Sequence, residues 1–245
     1  MTYVERSVAR PRVSDVLTEL RDAQKHGAGV PAYTRWVNRR AARVLAALAV
    51  HIGAGPSTVS LVSAAVSALD LAVLLAAGVD APVVAGVVTA ILLALGYILD
   101  SADGQVARVT GTSSRAGEWL DHVIDAIRTP AIHLAVAVVA VLADRGALLA
   151  VVALVHALVS TGQFMSQILA EQLVGRSRPV VTDGGVRRSL VLLPTDTGTL
   201  CWVFVLWGAP GAFTVAYVSL TIVAVLHSAV SLRRRHLELA SGGTR

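Results

Sequence analysis

The sequence predicts an all-α integral membrane protein, with six transmembrane helices preceded by an interfacial amphipathic helix. The 245-residue chain is 55% hydrophobic and 15% charged, and its mean hydropathy is +0.67. Soluble domains carry roughly 25% charged residues, so this composition excludes an ordinary soluble domain. Several apolar runs approach the ~18 residues that suggest a membrane span. The composition therefore predicts one membrane domain with short polar ends.

The N-terminal region is polar at first and then amphipathic. Residues 1–30 hold no apolar core of signal-peptide length, so we expect a polar cytoplasmic segment without a cleaved leader. Residues 31–54 predict a helix that lies along the membrane surface, with Trp36 among the headgroups. Apolar and basic residues form separate stripes at helical spacing, Val37, Ala41, Val44 and Leu48 on one face and Arg35, Arg39 and Arg43 on another.

The predicted membrane domain occupies residues 55–232, and a basic cytoplasmic tail follows at residues 233–245. Gly53–Pro56 breaks the amphipathic helix before the first span. The predicted spans are Thr58–Ala77, Ala81–Asp100, Glu118–Ala143, Ala147–Leu173, Gly198–Ala209 and Ala212–Leu232. Arginine is concentrated in alternate polar segments, which the positive-inside rule assigns to the cytoplasm. We therefore expect a multi-pass protein of the cell membrane with both termini in the cytoplasm.

Four aspartates stand close together between the second and third predicted spans, in the stretch LDSADGQVARVTGTSSRAGEWLDHVID. Asp100 and Asp103 are three residues apart, so they share one face of a helix. Asp121 and Asp125 are four residues apart and share a face of the next helix. The small polar residues within Val109–Ser114 allow the chain to turn back. Two antiparallel helices would then present four carboxylates to one another at the cytoplasmic edge.

This pattern of residues indicates a metal site that handles phosphate. Carboxylates near an apolar medium repel one another unless cations neutralise them. Oxygen ligands suit hard divalent ions, so we expect two Mg²⁺ or Mn²⁺ ions. Two ions held by shared carboxylates can clamp a diphosphate. Gly104, Ala107 and Gly117 let a ligand approach the backbone closely, and Arg108 is suited to pair with phosphate.

The complete spacing, D-x2-D-G-x2-A-R-x8-G-x3-D-x3-D, resembles the signature of the CDP-alcohol phosphotransferase family. All eight fixed positions are present, at Asp100, Asp103, Gly104, Ala107, Arg108, Gly117, Asp121 and Asp125. The likeness extends over about residues 33–232, including the GPSTVS entry to the first span. Family members are helical membrane enzymes, often homodimers, in which an acceptor hydroxyl displaces CMP from a CDP-linked donor with two divalent metals.

The resemblance implies roles for individual residues of this chain. Asp100, Asp103 and Asp121 resemble the metal ligands of the family. Asp125 resembles the position that serves as a further ligand or as the general base. The positions implied to enclose the CDP group are Pro56, Ser57, Asp103, Gly104, Ala107, Arg108 and Gly117.

The expected reaction transfers a phosphatidyl group from CDP-diacylglycerol, the common bacterial donor, to a small alcohol in phospholipid biosynthesis. Arg115, Arg187 and Arg188 are the expected acceptor site, and Arg176 and Arg178 are further candidates. Guanidinium groups bind phosphate through paired hydrogen bonds, so we expect a polyol phosphate as acceptor, either inositol phosphate or glycerol phosphate. The other expected partners are the lipid bilayer and a second copy of the chain. No nucleic-acid partner is expected.

The sequence also leaves other functions open. The opening YTRWVNR resembles inositol-phosphate-handling relatives, including those that use soluble CDP-inositol, so a soluble CDP-polyol is an alternative donor. The stretch SQILAEQLVG departs from phosphatidylinositol-phosphate and phosphatidylglycerol-phosphate synthases, because it has no basic residue before Glu171. A cation-binding transporter is an alternative class, although the chain has no internal repeat. A catalytically silent scaffold is another.

The remaining polar residues of the predicted spans suggest packing roles. His133, His156 and His227 have no carboxylate at helical spacing, so we expect them to pack or to form hydrogen bonds. The single cysteine, Cys201, excludes an internal disulfide and a cysteine-based metal site.

Overall fold

The computed structural model describes residues 11–22, 29–174 and 185–242, and over these ranges the protein is helical without strands. The α-helices are α1 (Val13–Asp22), α2 (Arg39–Ile52), α3 (Pro56–Ala77), α4 (Pro82–Thr110), α5 (Arg115–Leu142), α6 (Ala147–Val174), α7 (Val186–Val191), α8 (Thr197–Val203) and α9 (Pro210–Gly242). A π-helical turn, Thr34–Asn38, precedes α2. Two 3₁₀ segments, Leu193–Thr195 and Phe204–Gly208, lie on either side of α8.

Five helices, α3, α4, α5, α6 and α9, are long and apolar enough to cross a membrane. They match five of the six predicted spans. The remaining prediction, Gly198–Ala209, corresponds to the shorter apolar segment Thr197–Gly208, where α8 continues into a 3₁₀ turn. At about 1.5–2 Å per residue, this segment is shorter than the ~30 Å apolar layer of a bilayer. The six-span count therefore stays a prediction.

Two helices continue further than the sequence predicts. α4 runs past Asp100 as far as Thr110, so Asp100 and Asp103 lie on one unbroken helix. α9 runs through most of the predicted tail, where Arg234 and Arg235 form ion pairs with Glu238. Such pairs, three and four residues apart, stabilise an exposed helix.

The amphipathic helix α2 packs against α4 through a face of alanines rather than through its large apolar residues. The buried alanines of this face are Ala42, Ala46, Ala47 and Ala49. Val44 and Leu48 are 48% and 44% exposed. An apolar stripe that points away from the bundle is available to lipid, which supports the predicted interfacial position. That position itself stays a prediction.

Contacts of Trp207 and Arg145 link the helices at the end of the bundle opposite α2. The Trp207 indole nitrogen donates a hydrogen bond to the Gly78 carbonyl at 3.0 Å. The Arg145 guanidinium lies 4.1 Å from the centre of the Trp207 ring and donates to the Trp207 carbonyl at 2.8 Å. Gly86 on α4 permits this approach, because a Cβ there would lie 2.5 Å from the Phe204 carbonyl oxygen and from the Trp207 Cβ.

Two predicted packing histidines stack on each other in the bundle interior. The ring centres of His133 and His156 are 3.9 Å apart. His133 Nδ1 lies 2.6 Å from the Tyr217 hydroxyl, and His156 Nδ1 lies 2.9 Å from the Thr221 hydroxyl. The expectation of hydrogen bonding is therefore confirmed for these two residues.

We predict that Gly86→Ala destabilises the protein by about 1–3 kcal/mol, because the added methyl group overlaps the Phe204–Trp207 backbone. Gly162→Ala on α6 is the matched control, since a Cβ at Gly162 meets no atom within 4 Å. In a helix interior that control should raise stability by roughly 0.5–1 kcal/mol. Thermal unfolding in detergent measures both variants. A Gly86→Ala protein as stable as the control would contradict the close packing of Gly86 against Phe204 and Trp207.

Candidate functional site

Three of the four predicted carboxylates converge between α4 and α5. Asp100 and Asp103 come from α4, and Asp121 comes from α5. Each can offer one oxygen so that all three oxygens lie within 4.8 Å of one another. Such an all-oxygen donor set suits a hard divalent cation such as Mg²⁺ or Mn²⁺. The described residues therefore fit a divalent ion at this point.

The turn that brings the two helices together follows from local sequence. Gly111 takes a left-handed conformation, with φ of 64°, directly after the last residue of α4. Glycine adopts this conformation without the steric cost that other residues meet. Ser114 then caps α5, because its hydroxyl oxygen accepts a hydrogen bond from the Gly117 N–H at 3.0 Å. The reversal expected within Val109–Ser114 is thus present.

Asp103 is the most firmly held of these carboxylates. It is 7% exposed. The Ser60 hydroxyl on α3 donates to Asp103 Oδ2 at 2.6 Å, and the Gly104 N–H lies 2.5 Å from Asp103 Oδ1. Hydrogen bonds to both oxygens fix the orientation of the carboxylate. The cluster is therefore built by three helices, with α3 supplying a donor.

Asp125 lies beside a cation that the sequence analysis did not single out. The Arg128 Nη2 donates to Asp100 Oδ1 at 2.6 Å and also to Asp125 Oδ1. The Arg128 Nη1 donates to the Ser63 hydroxyl oxygen on α3 at 3.1 Å. Asp125 is thus joined to the three-carboxylate group through Arg128. A lone arginine in an apolar run, three residues after an aspartate, was the signal available in the sequence.

A polar stripe on α3 was also missed. Ser60, Ser63, Ser67 and Asp70 recur at intervals of three and four residues, and all four are buried. Asp70 is 1% exposed, and its Oδ1 has no hydrogen-bond partner among the described residues. A single acid within an apolar span is a signal for function that sequence alone provides. The stripe faces the cluster, since its first two serines contact Asp103 and Arg128.

Several residues expected to enclose a nucleotide lie near one another. A Cβ at Gly117 would lie 4.0 Å from the Ser57 hydroxyl, so the start of α5 faces the start of α3. Pro56 is the first residue of α3. A Cβ at Gly104 would lie 3.3 Å from Arg108 Nη1, which places this guanidinium over the glycine. The half-buried Ala107 lies on the same helix, between Gly104 and Arg108 in sequence.

The predicted acceptor arginines lie on the exposed surface of the helices that carry them. Arg115 is exposed at the first position of α5, and Arg187 and Arg188 are exposed on α7. Arg176 and Arg178 lie outside the described residues.

A cavity of about 430 Å³ adjoins the cluster, and Asp100, Asp125 and Arg128 line one part of it. The stacked pair His133 and His156 lines another part. Among the described residues, none of the three exposed arginines of α5 and α7 is part of this lining.

Comparison with known families identifies one match. The model of the CDP-alcohol phosphatidyltransferase family matches residues 54–230, which is more than two thirds of the chain. This range contains the whole aspartate cluster, the serine stripe of α3 and all five long apolar helices except the last turns of α9. No curated protein matches the chain.

Proposed function

Because this chain belongs to the CDP-alcohol phosphatidyltransferase family, we propose that it transfers a phosphatidyl group from CDP-diacylglycerol to a polyol phosphate and releases CMP. The family identifies it as a transferase of the CDP-alcohol phosphotransferase type. The observation that carries the proposal is the convergence of Asp100, Asp103 and Asp121 within 4.8 Å, beside a cavity that Asp125 lines. We expect this reaction to be a step of phospholipid biosynthesis.

Asp100, Asp103 and Asp121 are the residues proposed to hold divalent metal, with Mg²⁺ or Mn²⁺ as the ion and two ions in the working enzyme. When bound, such ions offset the charge of the donor diphosphate and of the departing CMP. Asp103 is prepared for this role by its two hydrogen-bond donors, Ser60 and Gly104.

Asp125 is proposed to act as the general base. Its position on the cavity gives an acceptor hydroxyl access to the carboxylate. In the proposed step the acceptor oxygen forms a bond to the donor phosphorus that carries the lipid. The bond from that phosphorus to the CMP oxygen breaks, and the hydroxyl proton passes to Asp125. The ion pair with Arg128 holds the carboxylate in place before the reaction.

The nucleotide is proposed to lie where the starts of α3 and α5 face Gly104. The proposed contacts are Pro56, Ser57, Asp103, Gly104, Ala107, Arg108 and Gly117. Glycines at this place leave room for a phosphate near the backbone, and the Arg108 guanidinium suits a phosphate oxygen. The short separation between Ser57 and Gly117 supports this arrangement.

The acceptor is proposed to be inositol phosphate or glycerol phosphate, recognised by Arg115, Arg187 and Arg188. Paired hydrogen bonds from guanidinium groups suit a phosphate. The exposure of α7 supports access of a water-soluble acceptor to these side chains. We further propose that the active enzyme is a homodimer in the cell membrane.

The proposed topology has six spans, with both termini and the cluster on the cytoplasmic side. The contacts of the short segment Thr197–Gly208 support this topology. At its start, Asp196 accepts hydrogen bonds from the Thr34 N–H and hydroxyl, both at 2.8 Å. At its end, Trp207 bonds Gly78, in the loop between α3 and α4. Because its two ends contact opposite ends of the bundle, we propose that Thr197–Gly208 crosses the apolar layer although it is short.

We predict that purified protein with CDP-diacylglycerol and either polyol phosphate releases CMP only when Mg²⁺ or Mn²⁺ is present. Asp100→Asn, Asp103→Asn and Asp121→Asn should each lower turnover by at least ~100-fold, since even outer contacts of metal sites cost roughly 10–100-fold when lost. Asp80→Asn, in the loop between α3 and α4, is the matched control and should retain activity. CMP is measured by liquid chromatography. Full turnover in EDTA would contradict the role of metal.

We predict that Asp125→Asn lowers turnover by about 10²–10⁴-fold, the usual cost of removing a general base. Affinity for the CDP donor should change little, because the three-carboxylate group stays intact. Single-turnover kinetics and donor titration separate the two quantities. If donor affinity falls as steeply as the rate, Asp125 acts chiefly as a metal ligand.

We predict that Arg187→Ala combined with Arg188→Ala raises the acceptor KM at least tenfold, since one hydrogen bond to a charged group contributes about 1.5–3 kcal/mol. The donor KM should barely move. Arg233→Ala with Arg234→Ala, near the end of α9, is the control for general loss of positive charge. An unchanged acceptor KM, or equal use of the unphosphorylated alcohol, would refute recognition of phosphate by these arginines.

A further inference from the structure

Two buried histidines on the cavity wall take no part in the proposed reaction. His133 is 2% exposed and His156 is 6% exposed, and both line the cavity. In each ring Nδ1 contacts a hydroxyl group, that of Tyr217 at 2.6 Å and that of Thr221 at 2.9 Å. Neither Nε2 atom has a hydrogen-bond partner in the described parts of the chain. Buried polar atoms without a partner on a cavity wall indicate a place for a polar group of a ligand.

The contacts of the two rings determine which Nε2 atom carries a proton. The Thr221 hydroxyl donates to the Tyr217 carbonyl at 2.8 Å, so towards His156 its oxygen accepts and Nδ1 of His156 donates. In a neutral imidazole, Nε2 of His156 is then an acceptor. The Tyr217 hydroxyl has no other acceptor among the described residues, so it donates to Nδ1 of His133. Nε2 of His133 then carries the proton and is a donor.

This pairing of an acceptor with a donor matches a hydroxyl group. The two ring centres are 3.9 Å apart and the ring planes differ by 18°, so the acceptor and the donor lie on adjacent rings. A hydroxyl group both donates and accepts, and it therefore satisfies both histidines. A phosphate oxygen without a proton only accepts, so it would leave Nε2 of His156 without a donor.

The distance from Asp125 limits which ligands reach the two histidines. Asp125 and His133 are eight residues apart on α5, which is roughly 12 Å along the helix axis. A hydrogen bond at each end takes up about 3 Å, so a ligand that contacts both residues has hydroxyl oxygens roughly 6 Å apart. The two hydroxyls of glycerol phosphate stand on neighbouring carbons and are too close together. Hydroxyls on opposite sides of a six-membered ring span the distance.

We propose that His133 and His156 bind a hydroxyl group of the acceptor that is remote from the reacting one, so that the protein selects a ring polyol phosphate over glycerol phosphate. The inference deepens the proposed function and rests on it for the reaction and for Asp125 as the base. The two histidines are specificity-determining residues in this account. They contact the part of the acceptor that stays unchanged in the reaction.

Other parts of the cavity wall suit the same ligand. Thr129 and Ser160 also line the cavity and offer hydroxyl groups, and Thr129 lies midway between Asp125 and His133 in sequence. The 3₁₀ segment Leu193–Thr195, which follows α7, contributes its last two residues to the lining. The phosphate of the acceptor is therefore free to lie towards α7 while its ring lies in the cavity.

Equilibrium binding of tritiated acceptors tests this inference without any turnover. Scintillation proximity with purified protein, Mg²⁺ and CDP, but no lipid donor, gives one Kd for inositol phosphate and one for glycerol phosphate. The wild-type protein should bind inositol phosphate at least tenfold more tightly, since a buried group left without its hydrogen bond costs roughly 5–150-fold in affinity. His156→Asn keeps an N–H group for Thr221 and removes Nε2, so the ratio of the two Kd values should fall by roughly tenfold. The matched control is His51→Asn, an exposed position on α2 outside the described lining, which should keep the wild-type ratio.

Equal Kd values for the two acceptors in the wild-type protein would overturn the inference. An unchanged ratio in His156→Asn, or no binding of inositol phosphate, would overturn it as well. If His156→Asn does not fold, Thr221→Val removes the hydroxyl that fixes the His156 proton and keeps the side-chain shape. The ratio should then fall in Thr221→Val and return in Thr221→Ser, and equal ratios in these two variants would also refute the inference.

The binding ratio is separate from the proposed reaction. CMP release by a wild-type protein that binds both acceptors equally would uphold the transfer and refute the role of the two histidines. A tenfold ratio that His156→Asn abolishes, in a protein that releases no CMP, would refute the transfer and uphold the hydroxyl site.

Discussion

The structure depends on compensating a group of carboxylates that lies among apolar helices. Each of Asp100, Asp103, Asp121 and Asp125 is at most partly exposed, and mutual repulsion opposes their approach. Within the described chain the compensation comes from the Arg128 ion pairs, from the Ser60 hydroxyl and from the Gly104 N–H. Arg128 contributes a positive charge, whereas the hydroxyl and the N–H contribute dipoles. The three-oxygen set of Asp100, Asp103 and Asp121 also suits a divalent ion, which would add further positive charge.

The same constraint explains why α3 carries serines on its inner face. A serine on a buried helix face has little volume, so α4 and α5 pack closely against α3 while hydroxyl groups remain available at the contact. Ser60 reaches Asp103, and Ser63 links Arg128 to the Gly96 carbonyl. Larger apolar residues there would separate the helices and remove the hydroxyl donor of Asp103. Helix packing and charge compensation are therefore achieved by the same side chains.

The sequence predicts the parts of this arrangement that depend on local spacing. Helical periodicity places Asp100 with Asp103 on one helix, and the small residues after them predict the turn. The role of Arg128 is not predictable in this way, because it requires knowing that α3, α4 and α5 meet at one point. The link between Thr34 and Asp196 spans 162 residues and follows from tertiary packing alone.

The short fifth segment, Thr197–Gly208, differs from the predicted Gly198–Ala209 by one residue at each end, and local signals explain its boundaries. Asp196 is the N-cap of α8 and accepts a hydrogen bond from the Gly198 N–H, so the helix begins only at Thr197. Pro210 begins the next helix, and Ala209 before it leaves the helical conformation. The capping residue and the proline together limit the helical segment to Thr197–Gly208.

The cavity gives a physical reason why this chemistry lies at the edge of an apolar bundle. One part of its wall is charged, with Asp125 and Arg128, Leu93 and Ile132 are apolar, and hydroxyl, amide and imidazole side chains line much of the rest. A ligand that matches both parts has a strongly charged group joined to an apolar body. The mixed wall therefore suits a ligand with polar and apolar parts, and the cavity lies between the carboxylate cluster and the interior of the long apolar helices.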